Sequence, residues 1–350
     1  MGMFRNLLIL SILLSLCNAE INNTVQTDYN SIDNVHQVLS DTIVEWSDIL
    51  DTRLSGWVSN YTNVSENDEA KISLDSFKEK VKSADAFFQN KRYLHETDDT
   101  FVTVRMNSEF QSRDSSDFNI KMGGQLPLKK TKRLFKIFVN DITMNDTMKN
   151  SEEESVTPKI GFHYSILEAH GIHSQYSLGT RGIHPFVRAR FYMDILTNNW
   201  IIGPSQMFKY SFENKFEEET NIYFDNQFRD RSLLRVHLYR KTQDKIDGMD
   251  YALTLQYYWS PIKKMGLRVS QSFVGNTKYP YIADNNVDSP IIKTFGGINN
   301  YVTSFSLRQN IWRKWFFYEV RPGVNFHRDY DYEPNYTLHF LLDFHFGQSH

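Results

Sequence analysis

Cysteine is nearly absent from this chain, and its absence excludes several classes of site. Cys17 is the only cysteine among 350 residues. It lies in an N-terminal segment that we expect to be cleaved, so the mature chain has neither a disulfide nor a thiolate metal cluster. The net charge is only −3, which argues against a nucleic-acid partner. A glycine-rich phosphate loop is also missing.

Long apolar runs are equally scarce. After the N-terminal segment, no stretch reaches the roughly 18 apolar residues that a membrane-spanning helix needs. Aromatic residues, in contrast, make up 15% of the chain. A polar chain rich in aromatics suits a membrane β-barrel, which combines a thin apolar exterior, aromatic girdles and a polar lumen.

The N-terminus has the layout of a secretory signal peptide. Arg5 provides a weakly basic start, Leu7 to Leu16 form a short apolar core, and Cys17-Asn18-Ala19 ends in a small residue. We therefore predict a signal peptide over residues 1–19, cleaved after Ala19. The alternative is lipidation of Cys17. The residue before a lipidated cysteine is normally small, however, and Leu16 is not.

Residues 20–96 show helical periodicity and are predicted to be a periplasmic helical segment. Apolar residues recur every three or four positions between Ile32 and Leu54, and again between Leu74 and Phe88. These amphipathic helices can pack near a barrel mouth or bind a periplasmic partner through residues 31–94. If the lumen is plugged, residues 31–57 are the predicted plug.

From Phe101 onward the period of the apolar pattern changes to two. The last segment, Tyr336 to Phe346, alternates almost without a break and is long enough to cross a bilayer. Fourteen such strands are predicted, with twelve as the alternative, because single-chain bacterial barrels have even strand numbers. The predicted fold is an all-β transmembrane antiparallel β-barrel over residues 97–350, preceded by the α-helical segment.

The connections alternate between long and short. The predicted external loops are Asn140–Thr157, Thr242–Asp250, Asn276–Asn300 and His327–Pro334. The predicted periplasmic turns are Leu128–Lys132, Arg229–Arg231, Ser260–Lys264 and Ile311–Lys314. Four tryptophans lie beside periplasmic turns and are predicted to form an aromatic girdle at the membrane interface. They are Trp200, Trp259, Trp312 and Trp315.

Charged residues fall on the strand face opposite the apolar one, so they are predicted to line the lumen. A charge facing lipid at mid-depth costs about 2–4 kcal/mol, and so many such costs are not sustainable. The basic candidates are Arg105, Lys121, Arg188, Arg190, Lys209, Arg235, Arg268, Arg308 and Arg321. The acidic candidates are Glu109, Asp194, Glu213, Asp225, Glu319 and Asp343. Two uses compete: cross-strand ion pairs that fill the lumen, or an anion-favouring pore.

The segment Ile311-Trp-Arg-Lys-Trp-Phe-Phe-Tyr-Glu-Val-Arg-Pro-Gly-Val-Asn-Phe-His-Arg-Asp resembles a signature of a proteobacterial outer-membrane protein family. Ala84-Asp85-Ala86-Phe87-Phe88 and Glu96-Thr97-Asp98-Asp99-Thr100 are similar to the segments that precede the barrels of that family. The last strand resembles the signal of the barrel-assembly machinery, except that four residues follow Phe346. The resemblance implies an outer-membrane barrel and brings no activity with it.

No catalytic, cofactor or metal residue is predicted. His163 with Ser165, and His173 with Ser177, are candidate pairs for a barrel hydrolase, but they lack the local motifs of such enzymes. Asp98-Asp99 and Asp329 with Asp331 suggest turns more than facing protease carboxylates. His339, Asp343 and His345 share a strand face, and a straight strand cannot close them around one tetrahedral ion. The triplets Glu152–Glu154 and Glu217–Glu219 are predicted to be solvated loop charge.

The predicted function is a non-catalytic envelope scaffold or narrow channel in a Gram-negative outer membrane, with the N-terminal segment in the periplasm. The alternative is an outer-membrane hydrolase, of lipase, deacylase or protease type, with its active site at the barrel rim. The expected partners are outer-membrane lipid, lipopolysaccharide and the barrel-assembly machinery.

Overall fold

The computed structural model of the chain describes most of the predicted barrel and both helices. The described residues are 31–58, 75–88, 100–128, 135–139, 159–167, 171–197, 199–229, 231–262, 264–284, 291–310 and 313–347. The predicted signal peptide over residues 1–19, the loop Asn140–Thr157 and the pair Asp98-Asp99 lie outside them.

Two helices precede the strands. Helix α1 covers Ser31–Val58 and helix α2 covers Asp75–Phe87. Of these two described helices, neither is long and apolar enough to cross a membrane. The strands are β1 (Phe101–Gln111), β2 (Asp117–Pro127), β3 (Phe135–Val139), β4 (Lys159–Leu167), β5 (His173–Arg181), β6 (His184–Tyr192), β7 (Ile195–Thr197), β8 (Trp200–Ser211), β9 (Lys215–Arg229), β10 (Ser232–Gln243), β11 (Ile246–Trp259), β12 (Met265–Asp284), β13 (Ile291–Gln309), β14 (Phe316–His327) and β15 (Pro334–Gly347).

These strands form one closed antiparallel sheet. β1 pairs with β15 from Phe101↔Gly347 to Gln111↔Thr337, which closes the ring. β6 and β7 both pair with β8, so they are two parts of one barrel strand interrupted at Met193 and Asp194. The ring therefore has fourteen strands. This confirms the predicted antiparallel β-barrel with an N-terminal helical segment, and it favours fourteen strands over twelve.

The wall is apolar outside and polar inside, as β10 illustrates. Leu234, Val236 and Leu238 point outward, and Leu238 is 39% exposed. Arg235 and His237 point inward, and Arg235 is only 1% exposed. A water-soluble protein has the opposite distribution. The period-two pattern of the sequence thus corresponds to an inside-out barrel, whose outer surface is suited to hydrocarbon.

The two ends of the barrel differ. We call the end where β1 begins and β15 ends the terminal end, and the opposite end the far end. At the far end, β12 and β13 continue as a paired hairpin to Asp284 and Ile291. The predicted loop Asn276–Asn300 was therefore mostly wrong. Its glycine, proline and asparagine content reflects three irregularities of register in this hairpin, not a loop.

Two other predicted loops were also too long. Thr242–Asp250 is a tight connection, because β10 ends at Gln243 and β11 begins at Ile246. Glu217–Glu219 were placed in an external loop, but they belong to β9. Charged and polar residues continue along these strands at the far end, and the sequence pattern there resembles a loop.

Leu238→Arg should impair assembly far more than Leu238→Met. The arginine would face hydrocarbon near the middle of β10, at a cost of about 2–4 kcal/mol, whereas methionine keeps that surface apolar. The measurement is the yield of heat-modifiable folded protein after refolding into lipid vesicles. Equal yields for the two variants would contradict the outward orientation of this face.

Candidate functional site

Helix α2 lies inside the barrel at the terminal end. Val81 of α2 and Phe88, which directly follows the helix and is counted with it below, are buried against three inward side chains of the wall. These are Ile201 of β8, Leu233 of β10 and Tyr258 of β11. All three lie close to the terminal ends of their strands. The helix thus uses its apolar stripe against the interior of the wall.

The contacts of α2 reach opposite sides of the ring. Lys78 Nζ lies 2.7 Å from Asp194 Oδ2, at the interruption between β6 and β7. Phe87 makes an edge-to-face contact with Phe317 of β14, with ring centroids 5.7 Å apart. In the fourteen-strand ring, these two positions are seven strands apart by either route. The helix with its side chains therefore spans the full width of the lumen.

A buried ion triad attaches α2 to the wall. Arg235 donates to both carboxylate oxygens of Asp85 of α2, at 2.6 and 2.9 Å, and to both oxygens of Asp225 of β9, at 2.7 and 3.1 Å. Asp85 and Asp225 are both 0% exposed. Bidentate arginine–carboxylate pairs fix orientation as well as distance. The triad therefore sets both the depth and the rotation of α2.

The rings of Tyr223 and Tyr258 enclose the guanidinium of Arg235, with centroids 5.3 and 5.7 Å from its central carbon. Burying three charges is unfavourable unless each has close partners. Here two carboxylates and two aromatic faces surround one cation. The Asp85–Arg235–Asp225 triad consequently depends on α2 for one of its two anions.

Gly266 of β12 provides the space that the two phenylalanines of α2 occupy. A Cβ atom at this position would lie 2.6 Å from Phe87 and 2.7 Å from Phe88. Both distances are much shorter than van der Waals contact, and the rings are confined by Phe317 and Tyr258. The wall is thus shaped to receive α2, and any larger residue at Gly266 must displace it.

A second buried network lies beside the triad on the same half of the wall. Arg105 donates to Asp343 in bidentate fashion at 2.6 and 2.8 Å, and Arg308 donates to Asp343 at 2.5 Å. Arg321 donates to Glu319 at 2.8 Å. Arg308 and Arg268 lie 3.4 and 3.5 Å from the same carboxylate. Four arginines therefore share two carboxylates in this arginine network.

Helix α2 also covers the arginine network. The ring of Phe88 lies 5.4 Å from the guanidinium carbon of Arg268, and Phe317, the partner of Phe87, lies 4.8 Å from that of Arg308. Aromatic faces attract cations, more strongly when water is excluded. On the wall, the triad and the arginine network together carry five arginines against three carboxylates, and Asp85 of α2 adds a fourth negative charge.

The other predicted lumen residues are located as follows. Lys121 of β2 lies directly across from Arg105. Arg188 and Lys209 are also directly opposed, and Lys209 forms an ion pair with Glu217 at 2.6 Å. Arg190 donates to Ser205 at 3.1 Å. Glu109 lies 3.6 Å from His339. Glu213 lies in the turn between β8 and β9, 3.8 Å from Arg181, and not on the wall.

The helix inside the barrel is α2, so the prediction that residues 31–57 form the plug was wrong. Helix α1 instead contacts the rim near Thr100 and Trp315. Its apolar stripe was the stronger sequence signal for a plug. Asp85 is not among the predicted lumen residues, although it lies in the Ala84–Phe88 segment that carries the family resemblance. The sequence feature that predicts a role for Asp85 is the position of a carboxylate within an apolar helical stripe.

Three of the four tryptophans of the predicted aromatic girdle lie among the described residues. Trp200 and Trp259 are exposed on the outside of the barrel, close to the terminal end. Trp315 stacks on His36 of α1, with centroids 4.3 Å apart. Trp312 lies outside the described residues.

The hydrolase candidates are arranged differently from the proposed pairs. His163 Nδ1 lies 2.7 Å from Ser177 Oγ, because the two residues face each other across β4 and β5. His163 is 0% exposed and stacks on Phe138. Arg188 also donates to Ser177 Oγ, at 3.4 Å. A buried pair between directly opposed residues has the geometry of an ordinary cross-strand hydrogen bond.

The predicted acidic and metal candidates have other partners. Asp329 accepts a hydrogen bond from Tyr279 at 2.9 Å, and Asp331 caps the short 3₁₀ helix Arg328–Tyr330. Asp343 binds two arginines of the network described above. His345 Nδ1 lies 2.9 Å from Thr103 Oγ1. Within the described residues, no group of three or more suitable side chains could hold a metal ion.

The sequence matches no protein-family model and no curated protein. Among solved structures, the chain is similar to the KdgM porin in complex with disordered oligogalacturonate, with 9% identity and a TM-score of 0.35, over 71% of this chain and 99% of that chain. Outer-membrane expressed OmpT of Vibrio cholerae is similar with 8% identity and a TM-score of 0.40, over 71% of this chain and 97% of that chain. Pseudomonas aeruginosa OccK10 (OpdN) is similar with 6% identity and a TM-score of 0.39, over 71% of this chain and 98% of that chain. Similarities this low carry no argument about function.

Arg235→Ala should lower the free energy of unfolding more than Asp85→Ala. Removing the arginine takes this cation away from two buried carboxylates, at a cost of about 3–5 kcal/mol. Removing Asp85 leaves the bidentate Arg235–Asp225 pair intact. The measurement is urea unfolding in lipid vesicles, followed by gel mobility of unheated samples. A larger loss for Asp85→Ala would contradict the triad as described.

Proposed function

We propose that this protein is a non-catalytic outer-membrane β-barrel that works as a narrow channel, and that its own helix α2 keeps the channel closed at rest. The observation that supports this most directly is the buried Asp85–Arg235–Asp225 triad, which attaches α2 across the lumen. The membrane location, the closure and the orientation each have separate support.

The membrane location is supported by the inside-out wall. Val269, Leu255 and Phe305 are large apolar side chains exposed on the outer surface. The buried polar residues Thr254, Ser272 and Ser306 lie on the inner surface of the same strands. In a bilayer, a closed barrel satisfies all backbone hydrogen bonds and exposes its apolar band to lipid. The segment with signal-peptide layout is consistent with export to an outer membrane.

Closure is supported by the size of the ring and by what fills it. Barrels of about eight strands are filled by side chains alone, whereas porins of about 16 to 18 strands leave an aqueous channel. A fourteen-strand ring lies between these limits and has room for one helix. Lys78 and Phe87 of α2 engage opposite walls. We infer that little free cross-section remains at that level.

The proposed orientation rests on the β12–β13 hairpin. We propose that the terminal end, with α1 and α2, lies in the periplasm, because the longest connections of single-chain barrels are external and this hairpin extends from the far end. The other described far-end connections, such as the one between β10 and β11, are short and do not contribute to this assignment. The long β12–β13 hairpin would then project outside the cell, where it can meet lipopolysaccharide. The barrel-assembly machinery is the proposed partner for insertion, through the alternating strand β15.

The charges around α2 suggest which ions an open channel would prefer. The triad and the arginine network together hold five arginines and three wall carboxylates, and Asp85 of α2 reduces this excess of positive charge. Rings of basic side chains favour anions in pores. We infer that a channel from which α2 has moved prefers anions.

Full-length protein in planar bilayers should show little conductance, and the double variant Asp85→Ala with Gly266→Val should show measurable, anion-favouring channels. The first change removes the bidentate contact of α2 with Arg235, and the second fills the space of its phenylalanines. The measurement is single-channel current, with the reversal potential taken in a salt gradient. A chain without residues 20–96 should conduct at least as well.

The matched control is Glu79→Ala. Glu79 is a carboxylate on the same helix, but its side chain is 65% exposed, so its removal should leave the channel closed. Two results would contradict the proposal. An open parent protein would mean that α2 does not close the lumen. A silent double variant and a silent truncated chain would mean that the barrel is a scaffold without a pore.

The hydrolase alternative rests on His163 and Ser177 and has its own test. Refolded protein should not react with a fluorophosphonate probe at Ser177, because the hydroxyl is buried between the histidine and Arg188. Mass spectrometry of probe-treated protein reports the labelled residue, and a barrel lipase serves as the positive control. Stoichiometric labelling that Ser177→Ala abolishes would favour the hydrolase.

A further inference from the structure

Helix α1 is fastened to the outer side of the terminal rim. The imidazole of His36 stacks on Trp315, with centroids 4.3 Å apart, and on Phe346, at 5.1 Å. Its Nε2 atom lies 2.7 Å from the carbonyl oxygen of His345. Phe346 belongs to the outward row of β15, the face suited to lipid. The helix is thus docked on the aromatic edge of the outer apolar band.

Polar contacts hold α1 along this rim. Asp33 forms an ion pair with Arg313 at 2.7 Å, in the connection before β14. Ser47 lies 3.4 Å from Thr100, immediately before β1, and is buried. The helix consequently runs past β15 from the β14 side to the β1 side. Its described side-chain contacts therefore lie along three neighbouring strands of the wall.

Three different faces run along the described part of α1. The face toward the barrel carries Asp33, His36, Ser40 and Ser47. A second face carries exposed polar residues at helical spacing, namely Asn34, Gln37, Asp41, Glu45 and Asp48. A third face is apolar and is not covered by the barrel, with side chains that are 45% to 61% exposed: Ile32, Val35, Val38, Trp46 and Ile49.

We infer that α1 is an interfacial helix, whose apolar face lies in the phospholipid leaflet that surrounds the terminal end of the barrel. This inference rests on the proposed membrane location. The three faces match the three surroundings at such a rim: protein, lipid and water. A helix lying in the interface buries its apolar face about 5–10 Å into the boundary between headgroups and acyl chains.

Continuity with the outer band favours lipid over a protein partner. His36 rests on Trp315 and Phe346, and Trp315 itself contacts the outward residue Phe344. Trp200 and Trp259 are exposed near the same end of the wall. Tryptophan marks the interface between hydrocarbon and water. The apolar face of α1 therefore extends a surface that already meets lipid, at the depth where amphipathic helices lie.

Accessibility of nitroxide labels tests this placement. Full-length protein carrying Cys17→Ser is labelled at Val38→Cys on the apolar face or at Asp41→Cys on the polar face, and is reconstituted into phosphatidylethanolamine–phosphatidylglycerol vesicles. Oxygen concentrates in lipid, whereas a neutral nickel complex stays in water. We expect the label at position 38 to favour oxygen and the label at position 41 to favour nickel, with a several-fold difference in their ratio.

A third label, at Leu238→Cys on the outer wall, tests the membrane location of the barrel separately from the placement of α1 in lipid. If position 238 favours nickel, the proposed membrane location fails. If position 238 favours oxygen but position 38 favours nickel, α1 lies in water and the present inference is overturned. Exclusion of both reagents at position 38 would overturn it as well, because it would indicate a second copy of the chain or another protein on that face.

Discussion

The structure depends on one constraint: charged side chains cannot face the hydrocarbon that surrounds a membrane barrel. Successive side chains of a strand point to opposite faces of the wall, so a charged side chain that does not face lipid faces the lumen. There it is buried and requires a partner of opposite charge or a hydrogen bond. Arg105, Arg268, Arg308 and Arg321 satisfy this requirement by sharing Glu319 and Asp343. Arg235 satisfies it with one carboxylate from the wall and one from α2.

The plug is consequently part of the electrostatics of the wall, and not an object that merely fills a hole. Asp85 neutralises charge on Arg235, while Phe88 covers Arg268. Removing α2 would expose a cationic half of the wall to water, which is favourable for the charges but unfavourable for the apolar residues around Ile201 and Leu233. The position of α2 therefore depends on both apolar and ionic contacts with the wall.

The two helices have similar amphipathic patterns but different destinations. Helix α1 has buried serines and a histidine on the side that meets the rim, and Ile32, Val35, Val38, Trp46 and Ile49 on its other side are exposed. Helix α2 carries apolar residues on the side that meets the wall, with Asp85 beside them. The side chains of α2 thus match both the apolar and the charged parts of the inner wall.

The sequence by itself predicted the barrel, fourteen strands with twelve as the alternative, and the inner face for most of the charges, because a period of two is a local property that survives any arrangement of the strands. Glu213 is an exception, because it lies in a turn and not on the wall. The positions of Arg235, Glu319 and Asp343 on the inner face follow from that period. Their partners do not, because Asp85 is separated from Arg235 by 150 positions, and the shear of the closed ring decides which strands face one helix. The extent of β12 and β13 beyond the predicted strand ends was also decided by tertiary structure, since residues with loop-like composition pair only when a neighbouring strand is in register. The closed ring, with its fixed width, the recess at Gly266 and the position of Arg235, determines that α2 and not α1 occupies the lumen.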